Sequence, residues 1–168
     1  MQTIEVSDKY IVQQFLELPF SIYRNDAQWV CPLLNDIESV FDPQKNNFFS
    51  FGKCNRWILV DENNHTIGRI AAFINEKKAY KEELPTGGCG FFECIDDQGA
   101  ANMLFDQAKT WLESHGMKAM NGPINFGEND MWWGLLVDGF TSPFYGMNYN
   151  PPYYKALFEA YGFSVKYE

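Results

Sequence analysis

Glu93 is the first residue in this chain that invites a chemical reading. It sits in "GFFECI", a run that is otherwise apolar. Burial there raises a carboxyl pKa toward neutrality, where the group can accept a proton. A cation such as Arg69 alongside lowers it and makes the pair structural. A second concentration of reactive types lies in "NGPINFGENDMWWGLLVDGF", residues 121 to 140. Asn125, Glu128, Asn129 and Asp130 could hydrogen-bond a ligand, with Trp132 or Trp133 as a wall. The acidic members would suit an amine or another cation. The same letters also describe a turn cluster with tryptophans plugging the core. The two are adjacent, so on a strand only one could face inward.

Other chemistries find less support. Cys31, Cys54, Cys89 and Cys94 form no C-x-x-C pair, and His65 and His115 are far apart and next to turn residues, so no metal site is expected. The cysteines read as buried, reduced thiols. A formal charge of −9 with scattered cations repels phosphate backbones, which argues against nucleic-acid binding. No apolar run approaches the roughly 20 residues that cross a bilayer, and "MQTIEVSDKY" does not resemble a signal peptide. The expectation is a soluble, cytoplasmic protein. Its 168 residues, 46% hydrophobic and 17% aromatic, suffice for one domain with a real core.

The elements that must position these residues can be read from periodicity. "TIEVSD" alternates like a strand and ends on Asp8, a helix N-cap. Ile11, Val12, Phe15, Leu16 and Leu18 mark a helix from Lys9 to Tyr23 that Pro19 breaks or kinks. "YRNDAQWVCP" is a loop, and a short helix from Leu33 to Phe41 is closed by Pro43. "RWILVD" and "TIGRIAAFIN" flank the turn "ENNH" as a hairpin. After a charged connection, "GGCGFFECI" is apolar on both faces and belongs centrally in the sheet. Ala101, Leu104, Phe105, Ala108, Trp111 and Leu112 form the stripe of a helix from Gln98 to His115, ended by Gly116. "KAMNGPINF" is a strand, "PPYYKALFEAY" a helix capped by Gly162, and "FSVKYE" the start of another strand. The sum is a mixed α/β layout with helices on both faces of a sheet.

That order resembles the GNAT acetyltransferase superfamily. "GFFECIDDQGAANMLFDQAKTWLESHG" is similar to the family's cofactor-holding strand and helix, and "YYKALFEAYGF" to its closing helix. "GFFE", "GPINF", "LLVDGF" and "YNPPYY" resemble a narrower group of bacterial GNAT-like proteins. That group brings no substrate, and its members are generally longer. On that likeness the chain reads as a single GNAT-like domain over 1–168, cut short inside a strand at Glu168. The resemblance implies a mostly antiparallel central sheet and acetyl-CoA as cofactor. The cofactor's pyrophosphate would lie at the start of the long helix, against Cys94, Ile95, Gln98, Gly99, Ala100 and Ala101.

It also implies chemistry. The activity would be acyl-CoA-dependent N-acetyl transfer to an amine of unknown identity, with Glu93 as base and the 121–140 loop on the acceptor side. "YRND", residues 23 to 26, falls where the family's other acceptor wall lies, and by itself reads as a turn. A homodimer is compatible with this reading. The sequence departs from the family at two places. Asp96 and Asp97 sit where phosphate would bind, beside a single glycine, Gly99. Phe158 stands where many members carry a proton-donating tyrosine. Tyr153 and Tyr154 are the substitutes, unless they only pack at the helix start with solvated hydroxyls. The alternative is a GNAT-like domain without catalysis that binds a small ligand or supports a second domain.

Overall fold

The computed structural model describes residues 1–126 and 130–166. Asp8 caps the first helix, accepting from the Tyr10 and Ile11 N–H groups at 2.8 and 3.0 Å. That helix, α1 (Lys9–Ile22), comes after strand β1 (Gln2–Glu5) and continues through Pro19 instead of ending there. Proline has no N–H to offer the carbonyl four residues back, which leaves Phe15 O without its helical donor. Arg69 supplies the replacement, its Nη1 donating to Phe15 O at 2.6 Å. A tertiary bond thus offsets the defect that sequence alone reads as a break or a kink.

α2 (Leu34–Val40) leads to a 3-10 turn at Asn47–Ser50 and then to the hairpin of β2 (Gly52–Val60) and β3 (Thr66–Asn75). The connection from β3 to β4 (Thr86–Cys94) contains a one-turn helix, α3 (Glu76–Ala79), which the charged sequence did not announce. α4 (Gln98–Ser114), β5 (Ala119–Asn121) and α5 (Tyr154–Tyr161) complete the elements. Gly162 ends α5 at φ 111°, a conformation that favours glycine. Residues 163–166 were expected to open a strand and do not.

The sheet has the order β1-β2-β3-β4-β5. Every pairing is antiparallel except β4 with β5, which is parallel. Helices cover both faces, as the resemblance implies. On one face α4 and α5 bury Leu104, Phe105, Ala108, Leu112, Leu157 and Phe158 against β3 and β4. On the other, Phe15 of α1 and Ile37 and Val40 of α2 pack against Ile58, Ala71, Phe73 and Phe91.

Two irregularities in β4 create the opening where Glu93 lies. Arg69 pairs with Glu93 and Ala71 with Gly90, so Phe91 and Phe92 together oppose only Ile70. This is a β-bulge, with Phe91 at φ 50°. It sends Phe91 to the α1/α2 face and Phe92 to the α4/α5 face. The β4–β5 pairing stops at Gly88 and Asn121. Beyond it the chain passes a cis Gly122–Pro123 bond and crosses over β4. Ile124 N–H donates to Cys89 O at 2.8 Å. A Cβ on Gly90 would collide with the Ile124 carbonyl, so this crossing requires glycine. The carboxyl end of β4 keeps β3 on one side and is left without a strand on the other.

Candidate ligand site

Glu93 lies on the α1/α2 side of that open end, directly across from Arg69. Its Oε2 accepts two hydrogen bonds, from Tyr23 Oη at 2.8 Å and Tyr154 Oη at 2.7 Å. Its Oε1 is 3.5 Å from Arg69 Nη2. Bonds of this charged type stabilise by about 1.5–3 kcal/mol each. Burial is the largest influence on Glu93 and raises its pKa, while Arg69 and the two tyrosines pull it down. Burial also pushes both tyrosine hydroxyls far above their ordinary range, Glu93 adding to the effect. The two alternatives for Glu93 therefore coincide in space: it faces the open end of the strand and it pairs with Arg69. Arg69 Nε finds no hydrogen-bond partner among the described residues.

The two tyrosines at the start of α5 do not leave their hydroxyls to solvent. Tyr154, 1% exposed, accepts from the Cys94 N–H at 2.8 Å while donating to Glu93. Tyr153 donates to the Cys94 carbonyl at 2.7 Å. One peptide edge of β4 thus has both its donor and its acceptor taken by side chains. Phe158, 3% exposed, packs edge-on to Phe92 and Phe105 and is a core residue. With hydroxyl protons engaged and pKa values raised mainly by burial, Tyr153 and Tyr154 are poor acids.

The start of α4 is occupied in part, the Gln98 and Gly99 N–H groups having no partner among the described residues. Asp97 is the N-cap, its carboxylate accepting from Ala100 N–H at 2.7 Å and its carbonyl from Ala101 N–H at 3.0 Å. Gln98 turns away to donate to Asn102 Oδ1 and to Leu157 O on α5. Ile95 N–H is bonded to Ile67 O, and Gly99 lies against the Asp97 carboxylate. An acyl-CoA needs unpaired N–H groups for its pyrophosphate and a free strand edge for its amides. Here the helix end presents two carboxylates, Asp96 and Asp97, and the strand edge at Cys94 is already bonded. The residues present do not fit the cofactor.

On the α1/α2 side, by contrast, there is a cavity of about 60 Å³ over the Glu93–Arg69 pair. Its walls come from α1 and the loop after it (Pro19, Trp29), from the bulge (Phe91) and from the 121–150 segment (Trp132, Tyr149). Trp132 is 8% exposed and packs on Phe91, whereas neighbouring Trp133 points outward. The segment behind Trp132 is held by Asn150, buried, which accepts from Leu136 N–H at 2.7 Å and donates to Leu136 O at 3.0 Å. Tyr149 Oη donates to Asp26 at 2.7 Å, tying the segment to the "YRND" loop.

The polar members of the 121–140 loop divide. Asn125 and Asp130 each accept from the next residue's N–H, at 2.8 Å, and neither lines the cavity. Glu128 and Asn129 lie outside the described residues. The structure adds Tyr23 and Tyr149 to the site. The only signals for Tyr23 and Tyr149 were their places in "YRND" and "YNPPYY". Among the described residues no group of three or more metal-ligating side chains could hold an ion, and no helix is long and apolar enough to cross a membrane.

No family model matches the chain. It is 29% identical over 160 residues to Protein YghO of Escherichia coli (strain K12), an alignment that covers 93% of this chain. The chain spans only 40% of the length of that curated relative. Solved structures agree over the whole chain at low identity. Aminoglycoside antibiotic 6'-N-acetyltransferase AAC(6')-Ih from Acinetobacter baumannii aligns with a TM-score of 0.57 and 11% identity, over 99% of this chain and 92% of that one. The BH1408 protein of Bacillus halodurans, as a tetramutant, aligns with a TM-score of 0.55 and 11% identity, over 100% and 96%. At such identities the likeness carries architecture and nothing finer: the chain has a GNAT acetyltransferase-like fold.

Proposed function

We propose that this chain is a ligand-binding domain on a GNAT-like scaffold, working through the cavity over Glu93 and Arg69 and not through acyl-CoA. The observation that carries this reading is the bonding at Cys94. Its N–H and C=O, which a cofactor's amides would need, are held by Tyr154 and Tyr153. Asp97 caps the helix end where a pyrophosphate would sit. A bound acyl-CoA would have to break these bonds and also meet two carboxylates, within a protein of net charge −9. The four free cysteines suit a cytoplasmic location. Calorimetric titration with acetyl-CoA tests the reading directly.

A second reading, an acetyl-CoA-dependent N-acetyltransferase acting on an amine, is favoured by one observation. Glu93 stands beside the bulge of β4 with its pKa raised by burial, the condition a general base needs. Against it, both oxygens of that carboxylate already face donors.

A further inference from the structure

Bulky apolar side chains gather on one exposed face of the chain, at the mouth of the cavity and beyond it. Val30 and Met147 line the mouth, and each is more than half exposed. Leu33, Phe144 and Tyr145 lie outside the cavity walls at 62%, 82% and 71% exposure. Two segments build this face, 25–44 and 119–154, and hydrogen bonds stitch them together. Gln28 Oε1 accepts from Ser142 N–H at 3.2 Å, and Asp36 and Asp26 accept from Tyr145 Oη and Tyr149 Oη at 2.7 Å. Leu33 and Asp36 share the first turn of α2, so the Tyr145 bond brings the Phe144 turn to that helix end. Side chains of this size need no explanation when scattered singly, but a contiguous group marks an interaction surface.

The charges around the patch say what it can meet. Neither segment contains a lysine, arginine or histidine. Glu38 and Asp42 are paired with Arg56 and Lys45 from outside them. Asp26, Asp36, Asp130 and Asp138 accept from tyrosine hydroxyls or backbone N–H groups, and none joins an ion pair among the described residues. A second copy of the chain would set these carboxylates against each other and be repelled. An anionic or purely apolar partner would strip their hydration and return nothing. A simple amine would satisfy one carboxylate and leave Leu33 and Phe144 in water. A polypeptide segment that interleaves cationic and bulky apolar side chains meets both features.

We infer that this face docks a basic amphipathic segment of a partner polypeptide. The partner's apolar side chains lie against Leu33, Phe144 and Met147, and its lysines or arginines face Asp26, Asp36 and Asp138. The inference goes beyond the cavity and does not depend on what fills it, since Leu33, Phe144 and Tyr145 are not among its walls. Attraction between exposed charges speeds the encounter and is screened by salt, so docking weakens as ionic strength rises.

A labelled Leu/Lys amphipathic peptide, titrated with the intact chain and followed by fluorescence anisotropy at neutral pH, tests it. A Leu/Glu peptide of the same pattern and a Ser/Lys peptide of the same charge are the comparisons. The expected result is saturable binding of the Leu/Lys peptide, at least about tenfold tighter than either comparison. Leu33→Ser and Phe144→Ser together, at exposed positions where substitution spares the fold, should weaken it about tenfold. Tyr80→Ser with Leu84→Ser, an exposed apolar pair outside both segments, should leave it unchanged. Equal effects of the two double variants, equal binding of either comparison peptide, or no binding overturns the inference. Two other occupants give their own results, and each also overturns it. A second copy would show as self-association in sedimentation that Leu33→Ser with Phe144→Ser abolishes. A simple amine would show as displacement of the peptide by an equal concentration of propylammonium. Titration with acetyl-CoA, which decides the ligand-binding reading, does not bear on this face, so the two failures are distinguishable.

Discussion

Tyr154 Oη donates to Glu93 Oε2 at 2.7 Å across the open end of β4. That hydroxyl also accepts from Cys94 N–H at 2.8 Å, so one side chain both anchors the buried carboxylate and seals the strand edge. Tyr154→Phe removes both bonds and leaves a buried N–H unsatisfied. The expected loss is about 1–3 kcal/mol of stability, read as a lower urea midpoint with an unchanged slope. A midpoint equal to wild type would mean that Tyr154 fills space and does nothing more.

Glu93 sets a pH dependence whose sign can be worked out. Its folded pKa is raised above the ordinary value of 4.5, so the folded chain holds this proton more tightly than the unfolded chain does. Its contribution is full below pH 4.5 and is lost as pH rises through the folded pKa. Urea unfolding of wild type and Glu93→Gln from about pH 4 to 7 checks this. The stability of wild type relative to the variant should fall with rising pH. A relative stability that grows with pH would show that Arg69 and the tyrosines outweigh burial.

Much of the frame was legible in the chain. The stripe from Ala101 to Leu112 became the buried face of α4, and Asp8 and Gly162 mark the helix ends they suggested. The open strand end with Glu93 opposite Arg69 was legible only as alternatives, because the pairing register had to be known. The bulge was not legible at all. "GFFE" suits a regular strand, and nothing local announces a left-handed phenylalanine. Whether Pro19 breaks its helix was not legible either: the carbonyl it leaves without a donor, Phe15 O, is served by Arg69 from 54 positions away, and local rules cannot see that donor. Tyr23 reaches Glu93 over 70 positions and Tyr149 reaches Asp26 over 123. Asp130 of the 121–140 loop turns to its own backbone, a local choice its letter does not announce.

The crossing of the chain over β4 gives a steric prediction. A side chain at position 90 would strike the Ile124 backbone, which cannot rotate aside as a side chain could. Gly90→Ala should cost about 3 kcal/mol or more. Gly99→Ala, at an exposed helical position, serves as the benign comparison, since its nearest neighbour at 3.2 Å is the end of the Asp97 side chain. Thermal unfolding of the two variants should separate them by several degrees. Equal melting temperatures would show that the crossing can move.

Thiol reactivity offers an independent check on the packing. Burial pushes the Cys54, Cys89 and Cys94 thiols up to about 12. At about pH 8 their thiolate fraction is then on the order of one in ten thousand. Cys31 and Cys54, only partly buried, should react with a thiol reagent before Cys89 and Cys94, which should wait for unfolding. Rapid labelling of Cys94 in the native chain would mean that the tyrosine seal over β4 opens readily.

Tyr153 and Tyr154 occupy the Cys94 peptide groups and Asp97 the Ala100 N–H, and the proposed function depends on that closure. Isothermal titration of the chain with acetyl-CoA, with desulfo-CoA as the comparison, probes it most directly. A closed groove gives no saturable heat with either compound at up to about 1 mM, the level at which binding free energy is about 4 kcal/mol. Stoichiometric binding at micromolar concentration would contradict the closure and return the transferase reading to first place.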